Sequence, residues 1–232
     1  MTKDYTQHYI NGEWINSSGD QVLGVVSPAT EEVITDISLG TKEDVDAAVK
    51  AAKRAFPSWS QTSVEVRIEL LGKIVDGMMK RSEDLIQAVS NEMGAPISLA
   101  TNAQIPAGIG HFKTAIKVLK DYSFTEDRGE TRIVKEPIGV CGFITPWNWP
   151  LNQIACKVAP ALATGCTMIL KPSEIAPLDA YLLAEIIHDA GIPAGVFNLV
   201  NGDGIGVGSA ISAHPDIDMV SFTGSTRAGV LV

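Results

Sequence analysis

The sequence predicts an α/β fold in which crossover helices connect the strands of a parallel sheet. Four short apolar runs recur after Gly139 at intervals of roughly 25 residues, the length of a strand plus a crossover helix. Helical patterns fill the intervals, so the order is βαβαβαβ, which favours a parallel sheet covered on both faces. The apolar runs are residues 140–144, 167–170, 196–200 and 219–222, and the helical patterns lie at 151–162, 178–190 and 206–212.

The length and composition of the chain agree with this fold. Its 232 residues are 45% hydrophobic, which is enough to bury a sizeable core as one large domain or two small ones. We expect residues 139–232 to form a Rossmann-like unit of βαβ repeats. Residues 1–138 are expected to form an N-terminal segment of short strands, helices and an edge strand that packs on this unit.

The beginning of the chain has the pattern of short strands. Asn11 and Gly12 lie between short apolar flanks, and this residue pair tolerates the positive φ angles of a two-residue hairpin turn. Two further strands are expected at residues 22–26 and 32–38. Residues 132–135 alternate between apolar and polar side chains like an edge strand.

Helical periodicity begins at Thr41. Asp44 follows three residues later, as in a capping box, and Pro57 is expected to end this first helix. The sequence predicts further helices at residues 63–79, 82–93 and 97–122. The apolar face of the first helix consists of Val45, Val49, Ala52 and Phe56.

Charge and hydropathy exclude several classes of partner. The net charge of −9 argues against nucleic acid or an anionic membrane surface, since both would repel the protein. The opening Met1–His8 stretch lacks the apolar core of a secretory signal. The most apolar later stretch, residues 155–170, is interrupted by Lys157, Pro160 and Gly165. These features predict a soluble, cytoplasmic protein.

The cysteines and histidines indicate neither a disulfide framework nor a metal site. Three cysteines, Cys141, Cys156 and Cys166, are an odd number without a CxxC or Cys/His ligand spacing. Each is interpreted as a small core residue, because no basic group near it in sequence would lower its pKa. The four histidines are scattered and receive no role; they are His8, His111, His188 and His214.

A conspicuous polar cluster follows the first strand of the predicted sheet. Pro146 and Pro150 restrict the backbone on either side of Asn148, so its side-chain amide is a donor held in a fixed direction. Such a donor can stabilise an oxyanion, and one of this kind contributes about 3 to 4 kcal/mol to a transition state in acyl chemistry. The alternative is that Asn148 only satisfies a turn.

A second cluster follows the next strand. Lys171 and Glu174 are separated by a proline and Ser173, which keeps the segment extended before the next helix. A carboxylate and an ammonium suit the vicinal hydroxyls of a ribose, and an acidic group there disfavours a 2′-phosphate. The alternative is a solvated turn with a capping serine.

Two more clusters follow the third and fourth strands. Glycines alternate with other residues from Gly202 to Gly208, which permits a ligand to approach the backbone closely but does not match the dinucleotide fingerprint. After the fourth strand, residues 222–226 open another helix, whose free amides and Ser225 hydroxyl could bind a pyrophosphate. A simple helix cap is the alternative for Ser225.

These four clusters, in this order and at these spacings, resemble the NAD(P)-dependent aldehyde dehydrogenase superfamily. Its members carry a Pro-Trp-Asn-Phe-Pro turn, a Lys-Pro-Ser-Glu segment, a glycine segment and a Phe-Thr-Gly-Ser segment. The likeness extends to the N-terminal part, where Tyr9–Trp14 and Ser27–Thr30 take part, so it covers essentially the whole chain. The reaction of this family is attack of a cysteine thiolate on the aldehyde, hydride transfer to NAD⁺ and hydrolysis of the thioester with a glutamate as base.

The resemblance implies a role for each cluster. Asn148 would be the side-chain donor of the oxyanion hole, and Lys157 matches a lysine that joins a proton path in many members. Lys171 and Glu174, with Ser173 between them, would hold the adenosine ribose of NAD, with NADP as the other possible cofactor. The remaining cofactor contacts would come from Ile144, Thr145, Pro146, Trp147, Gly204, Gly208, Phe222, Gly224 and Ser225.

The sequence also departs from the family pattern. Trp149 stands where phenylalanine is usual, and Gln153 and Cys156 occupy positions at which relatives often carry bulkier apolar groups along the substrate tunnel, which hints at a more polar aldehyde. The segments with the nucleophilic cysteine and the general base are not found before Val232. We therefore expect a truncated N-terminal half whose catalytic domain is absent, and a full-length protein that is a dimer or tetramer.

Three functional hypotheses remain open at this point. The leading one is the cofactor-binding half of an aldehyde dehydrogenase, inactive by itself. The second is a stand-alone, non-catalytic nucleotide-binding module. The third is a thiol hydrolase that uses Cys156 or Cys141.

Overall fold

The computed structural model describes residues 5–232. Its main sheet has six strands in the order β10-β7-β8-β9-β1-β2. The pairs β10–β7, β7–β8 and β8–β9 are parallel, whereas β1 is antiparallel to both β9 and β2. These strands are β1 (Gln7–Ile10), β2 (Glu13–Asn16), β7 (Val140–Ile144), β8 (Thr167–Lys171), β9 (Phe197–Leu199) and β10 (Met219–Phe222).

The predicted α/β fold with a Rossmann-like parallel sheet is confirmed. All four predicted strands of the repeat form, and they lie side by side as the parallel part of the sheet. The N-terminal hairpin extends the same sheet, because Tyr9 pairs with Leu199. Because the main sheet contains strands from both sides of residue 138, it does not test the division of the chain at that residue, which stays a prediction. Residues 1–4, part of the opening stretch considered for targeting, lie outside the described residues.

The hairpin turn follows from the two residues at its tip. Asn11 and Gly12 have φ angles of 55° and 83°, in the left-handed region that a two-residue turn requires. The backbone N–H of Asn11 donates to Oδ1 of the buried Asn198 at 3.0 Å, which fixes the turn to β9. The turn thus sets the register by which β1 joins the sheet.

Two small antiparallel sheets lie outside the main one. They are formed by β3 (Val22–Val26) with β4 (Val33–Ser38) and by β5 (Thr125–Arg128) with β6 (Thr131–Val134). The sequence predicted β3, β4 and β6 but missed β5, because all four of its residues are exposed and no apolar alternation marks it.

The helices lie close to their predicted positions. The first begins after Thr41, whose hydroxyl accepts from Asp44 N while the Asp44 carboxylate accepts from Thr41 N, a complete capping box. The prediction that Pro57 ends this helix was wrong. Pro57 lies in the last turn, where only one hydrogen bond is lost, and the helix continues to Trp59. The helices of the N-terminal part are α1 (Lys42–Trp59), α2 (Val64–Lys80), α3 (Ser82–Met93), the short α4 (Ile97–Leu99) and α5 (Ile105–Asp121).

A π-helical turn, Ala100–Gln104, joins α4 to α5. The later helices are α6 (Pro150–Thr164), α7 (Leu178–Asp189), α8 (Ser209–Ser212) and α9 (Thr226–Leu231), and a second π-helical turn, Gly204–Gly208, precedes α8. Gly108 of α5 packs against α6, because a Cβ at this position would lie 2.8 Å from Leu151 Cγ. The absence of a side chain at this position therefore permits close helix packing. None of the helices within residues 5–232 is long and apolar enough to cross a membrane.

The parallel sheet is covered on both faces. Every residue of β7 and β8 is buried. Met168 and Leu170 of β8 belong to one hydrophobic cluster with α2, α6 and α7, whereas Ile169 belongs to a second cluster with α1 and α8. This alternation is the expected consequence of side chains pointing to opposite faces of a strand. The polar residues that end these strands are thereby held by a rigid core.

Candidate functional site

The predicted polar clusters meet at the carboxyl edge of the parallel sheet. Ile144, the last residue of β7, pairs with Lys171 of β8 on one side and with Phe222 of β10 on the other. The backbone continues this alignment, since Thr145 N donates to Lys171 O at 3.1 Å and Thr223 N donates to Ile144 O at 3.1 Å. Three of the four clusters therefore lie side by side, at the edge where parallel α/β sheets bind ligands.

The turn after β7 exposes the predicted oxyanion donor. Asn148 is exposed, and its side chain makes no hydrogen bond to any residue within 5–232. Pro150 begins α6 in the first helical position, and Trp147 is 51% exposed. The Asn148 amide is thus free for a ligand, which argues against the alternative that it only satisfies the turn.

Thr145 and Pro146 connect β7 to this turn. Thr145 is only 4% exposed, and its Oγ1 atom has no hydrogen-bond partner within the described chain. A buried hydroxyl without a partner costs about 1 to 3 kcal/mol. The unpartnered Thr145 hydroxyl, three residues before the exposed Asn148 amide, indicates a site where a ligand supplies the missing hydrogen bond.

The segment after β8 holds a buried cation next to a partly exposed carboxylate. Lys171 is 3% exposed, and its Nζ donates to Glu174 Oε2 at 3.0 Å and to Pro172 O at 2.8 Å. Burial lowers the pKa of Lys171, against the attraction of Glu174 and Asp203. About a third of the Glu174 side chain, 32%, faces solvent. A ligand can therefore reach the carboxylate, while the lysine holds it in place.

The interpretation of this segment as a solvated turn with a capping serine was wrong. Ser173 is 8% exposed, and the N-terminus of α7 has no side-chain cap from its own segment. Instead Glu92 of α3 accepts from Leu178 N at 2.6 Å and from Asp179 N at 3.2 Å. A residue from another helix caps α7.

The glycine segment after β9 forms the second π-helical turn. Asp203 caps it by accepting from Gly206 N at 2.6 Å, and it lies close enough to Lys171 to raise that group's pKa. A Cβ on Gly204 would meet no atom within 4 Å, whereas Gly208 is buried. Ile205 is 86% exposed. The sequence indicated the open backbone here but missed Asp203, which carries no distinctive spacing.

The segment after β10 is compact around Phe222. A Cβ on Gly224 would lie 2.4 Å from Phe222 Cζ, so only glycine fits there. Ser225 is exposed, and its Oγ accepts from Ala228 N at 3.2 Å, which makes it the N-cap of the short α9. The same Ser225 hydroxyl would therefore both cap α9 and contact the pyrophosphate.

The side chain of Lys157 in α6 reaches the end of β10. Its Nζ donates to Ser221 Oγ at 3.0 Å and to Thr223 Oγ1 at 2.9 Å. Burial lowers the pKa of this ammonium. Because both partners are hydroxyls, which can pass a proton on, the arrangement is compatible with the predicted proton path.

An apolar groove of about 380 Å³ runs between α5 and α6. Cys156 and His111 line it, and His111 Nε2 is hydrogen-bonded to Asn152 Oδ1 at 2.8 Å. Cys156 is six residues beyond Pro150, the first residue of α6, a distance of about 9 Å along the helix. The sequence indicated Cys156 but not the contribution of α5, because nothing in its pattern links the two helices.

The three cysteines behave differently from one another. Cys141 and Cys166 are buried, as expected, whereas Cys156 is half-buried and its Sγ donates to Gln153 O at 3.3 Å. Arg67 of α2, distant in sequence, lies near Cys166 in the fold. Within residues 5–232 no cluster of side chains has the composition of a metal site.

Comparison with known proteins decides the family. The sequence model of the Aldehyde dehydrogenase family matches residues 14–232. The chain belongs to this family. It is 58% identical over 231 residues to 3-succinoylsemialdehyde-pyridine dehydrogenase of a Pseudomonas species, with 99% of the chain and 48% of that protein aligned. It is 50% identical over 227 residues to a putative aldehyde dehydrogenase of Staphylococcus aureus, with 98% and 48% aligned.

Solved structures of aldehyde dehydrogenases have the same fold. A mutant of aldehyde dehydrogenase C from Pseudomonas syringae, determined with NAD⁺ and octanal, superimposes with a TM-score of 0.97 at 53% identity, covering 98% of this chain and 47% of that one. Betaine aldehyde dehydrogenase from Staphylococcus aureus, determined with NAD⁺, gives 0.93 at 38% identity, covering 97% and 47%. The chain spans about half the length of the aldehyde dehydrogenases that it matches.

Proposed function

We propose that this chain is the N-terminal, cofactor-binding half of an NAD-dependent aldehyde dehydrogenase, which oxidises an aldehyde to a carboxylate. The observation that carries the proposal is the alignment of β10, β7 and β8, which brings Asn148, Lys171 and Glu174 to one edge of the sheet. An oxyanion donor and a ribose-binding pair at one edge are what such a reaction needs.

The groups at this edge fit an NAD molecule. Thr145 Oγ1 is a buried hydroxyl without a partner, and the backbone at Gly204 is open to close approach. The Glu174 carboxylate is partly exposed while the Lys171 ammonium that holds it is buried. Within the described chain, these groups are hydrogen-bond donors and acceptors that other protein groups leave partly unoccupied, so they are available to a nucleotide.

Each segment would bind a different part of the cofactor. Lys171 and Glu174 would hold the adenosine ribose, with Ser173 supporting the turn between them. Ser225 and the first amides of α9 would contact the pyrophosphate, since free amides at a helix start attract anions. The adenine would lie along Gly204 and Gly208. The nicotinamide half would be contacted by Ile144, Thr145, Pro146 and Trp147, while Phe222 and Gly224 shape the wall beside it.

Asn148 and Lys157 would act on the substrate side. The free Asn148 amide would donate to the oxygen of the reacting carbonyl, a contribution of about 3 to 4 kcal/mol. Lys157, held by Ser221 and Thr223, would belong to a chain of groups that moves a proton. Bound NAD⁺ supplies the hydride acceptor. The groove lined by Cys156 lies further along α6 and would receive the apolar part of the aldehyde.

The same proposal predicts no aldehyde oxidation by these 232 residues alone. Cys141 and Cys166 are buried, and the Cys156 sulfur donates to a backbone carbonyl rather than to a base. An assay of NADH formation at 340 nm with octanal and with an aromatic aldehyde tests this. Sustained turnover that survives alanine replacement of each cysteine would contradict it. Turnover lost only with Cys156→Ala would favour the thiol mechanism instead.

Cofactor preference gives a second test. Titration calorimetry should show NAD⁺ binding more tightly than NADP⁺ by about tenfold, since the Glu174 carboxylate repels a 2′-phosphate. Glu174→Gln should narrow this ratio by raising the affinity for NADP⁺. The control Glu130→Gln, an exposed charge in the β5–β6 turn, should leave the ratio unchanged. Equal affinities in the wild type would contradict the assignment of Glu174.

We further propose that the full-length protein is a homo-oligomer, a dimer or tetramer, in the cytoplasm, and the test below is made on that protein. The β5–β6 hairpin lies outside the main sheet and is exposed, and Val134 on it is 56% exposed, which supports a contact surface there. The free cysteines agree with a reducing compartment. Light scattering after gel filtration, with the hairpin variant Val134→Lys, tests the first statement. A monomer in both proteins would contradict it.

A further inference from the structure

The loop after β9 is anchored at Asn201, a residue to which the proposed function gives no role. Val200 still belongs to the sheet, because its N–H donates to Leu170 O of β8 at 3.0 Å. Asn201 follows directly and is fully buried. The contacts of Asn201 therefore set the direction in which the chain leaves the sheet toward the second π-helical turn, Gly204–Gly208.

Three separate parts of the fold hold Asn201. Its N–H donates to Nδ1 of His8 in β1 at 3.3 Å, and its C=O accepts from Gly40 N, just before α1, at 2.8 Å. Its side-chain Nδ2 donates to the hydroxyl of Tyr181 in α7 at 2.6 Å. The anchors come from a strand, a loop and a helix, so they restrain Asn201 from three directions.

The imidazole of His8 is itself held in one orientation. Because Nδ1 accepts from Asn201, the ring proton lies on Nε2, and Nε2 is 3.4 Å from Asp44 Oδ2. The Asp44 carboxylate also accepts from Thr41 N and from Ser18 N, each at 2.9 Å. The start of α1 therefore fixes the carboxylate, and the carboxylate orients the ring that receives the Asn201 N–H.

The second π-helical turn beyond Asn201 is closed on itself. Asp203 accepts from Gly206 N at 2.6 Å through its side chain. Gly202 packs tightly against the same turn, since a Cβ there would lie 2.2 Å from Val207 Cγ2. The turn is therefore compact, and Asn201 is the point at which it is attached to the sheet.

We propose that His8 and Tyr181 are positioning residues for the cofactor, because by holding Asn201 they place the second π-helical turn against the adenine half of NAD. The inference rests on the proposed function, in which the adenine lies along Gly204 and Gly208. A binding group is effective only when the groups behind it are fixed by packing and hydrogen bonds. The N-terminal hairpin thereby shapes the cofactor site without contacting the cofactor.

Two polar substitutions separate this role from a general contribution to stability. His8→Asn retains a hydrogen-bond acceptor at the position of Nδ1, whereas His8→Gln carries its amide to the position of Nε2 and loses that acceptor. Both variants remove the imidazole and leave a polar group in the same buried place, so both should lower the free energy of unfolding. Only His8→Gln should weaken the binding of the adenine half.

NMR titrations of the ¹⁵N-labelled chain with AMP and with nicotinamide mononucleotide measure the two halves of the site separately. His8→Gln should weaken AMP binding about fivefold to tenfold, the effect of one lost hydrogen bond, and His8→Asn should weaken it by less than about twofold. Binding of nicotinamide mononucleotide should be unchanged in both. Unchanged AMP affinity in His8→Gln, or equal weakening in the two variants, would overturn the proposal.

Two further variants complete the test. Tyr181→Phe removes the side-chain anchor of Asn201 and should also weaken AMP binding several-fold; if His8→Gln does not fold, unchanged affinity in Tyr181→Phe would overturn the proposal. Tyr9→Phe is the matched control, because it removes a buried hydrogen bond of the same strand, from the Tyr9 hydroxyl to His188 Nδ1 at 2.9 Å. It should lower stability and leave AMP affinity unchanged, and weaker AMP binding in this control would show that affinity only follows stability.

Failure of this inference is distinguishable from failure of the proposed function. A wild-type chain that binds neither AMP nor nicotinamide mononucleotide would contradict the proposed function and this inference with it. A wild-type chain that binds both probes, with AMP affinity unchanged in His8→Gln and Tyr181→Phe, would overturn only the positioning role.

Discussion

At the carboxyl ends of β7 and β8, Lys171 is buried but holds a carboxylate that solvent can reach, and Asn148 projects a free amide. At the amino ends of the same strands, Arg67 is also buried, and its guanidinium lies against Gly165 and near the ring of Phe124. Both ends contain a buried cation. The difference is that the cation at the carboxyl end holds a partly exposed carboxylate, whereas the cation at the amino end packs against apolar groups in the interior.

This comparison predicts which substitutions change ligand affinity and which change the stability of the fold. Groups whose partners are complete inside the fold should affect unfolding when they are changed, because their removal leaves buried atoms without partners. Groups that face outward should affect ligand affinity and leave stability nearly unchanged. Substitutions at the two ends should therefore give opposite signatures.

The largest effect is expected for Gly139→Ala at the amino end. Gly139 has a φ angle of 126°, and a Cβ there would lie 2.0 Å from Asp218 Oδ2, whose neighbouring contact with Val140 N would also be lost. Strain and the lost hydrogen bond should lower the free energy of unfolding by about 3 kcal/mol or more, measured by urea denaturation.

Gly191→Ala is the matched control for Gly139→Ala. Its φ angle of 85° is also positive, but a Cβ there would meet no atom within 4 Å. It should lower the free energy of unfolding by only about 1 to 2 kcal/mol, the conformational term alone. Equal losses for the two variants would show that the amino end is not tightly packed.

Lys171→Met should mainly change cofactor affinity. Methionine retains the buried stem of the side chain but removes the ammonium that orients Glu174. A lost hydrogen bond to a charged group corresponds to about 1.5 to 3 kcal/mol, so NAD⁺ affinity in titration calorimetry should fall roughly 10-fold to 100-fold. Lys53→Met, which removes an exposed ion pair with Asp216, should leave the affinity unchanged. An unchanged affinity in Lys171→Met would remove the assigned role of the cation.

Asp179→Asn should change the pH dependence of stability. Burial raises the pKa of Asp179 to about 7, and burial together with the charge of Asp179 also raises the pKa of the neighbouring Glu92 carboxyl group. The folded state therefore keeps a proton that the unfolded state releases above about pH 4. Stability is complete below that pH and falls by up to about 1.4 kcal/mol per pH unit as the pH rises to 7.

The asparagine variant should lose the part of this decline that comes from Asp179 and be more stable than the wild type at pH 7.5, while the part that comes from the buried Glu92 stays. Urea denaturation at pH 4.5, 6 and 7.5 measures it. Asp216→Asn, an exposed carboxylate paired with Lys53, serves as the control and should keep the decline. A wild-type stability that does not change over this range would show that neither carboxyl group keeps its proton in the folded state.

The smallest effect is expected for Cys156→Trp. The indole should fill part of the groove between α5 and α6, so binding of the apolar dye anilinonaphthalene sulfonate should weaken several-fold while stability changes by less than about 1.5 kcal/mol. Met79→Trp on the exposed surface of α2 controls for the added indole. Unchanged dye binding would show that the groove is not the apolar site.

Local sequence patterns predicted the parts of the fold whose causes are local. The Asn11–Gly12 turn and the Thr41–Asp44 capping box are confirmed, because each depends on residues within one turn of chain. The strands at the sheet centre are confirmed for a similar reason, since continuous apolar runs are typical of buried parallel strands.

Contacts between distant segments could not be predicted from the same patterns. Glu92 caps a helix 86 residues away, and Arg67 reaches Gly165 only after α2 packs against α6. The carboxyl-edge residues Asn148, Lys171 and Glu174 were found because they lie at or just after the ends of β7 and β8, which the topology then aligns. The chemistry at the amino end has no such signal, since an arginine inside a helix and a cysteine before a strand are both ordinary.

The most direct test of the account is an NMR titration of the ¹⁵N-labelled chain with NAD⁺. We predict that amide shift changes concentrate at Thr145–Asn148, Lys171–Glu174 and the start of α9, and that the amides of Gly139, Gly165 and Cys166 stay unperturbed. Shift changes centred on the amino ends of β7 and β8, or no changes at saturating NAD⁺, would contradict the claim that the carboxyl edge is the cofactor site.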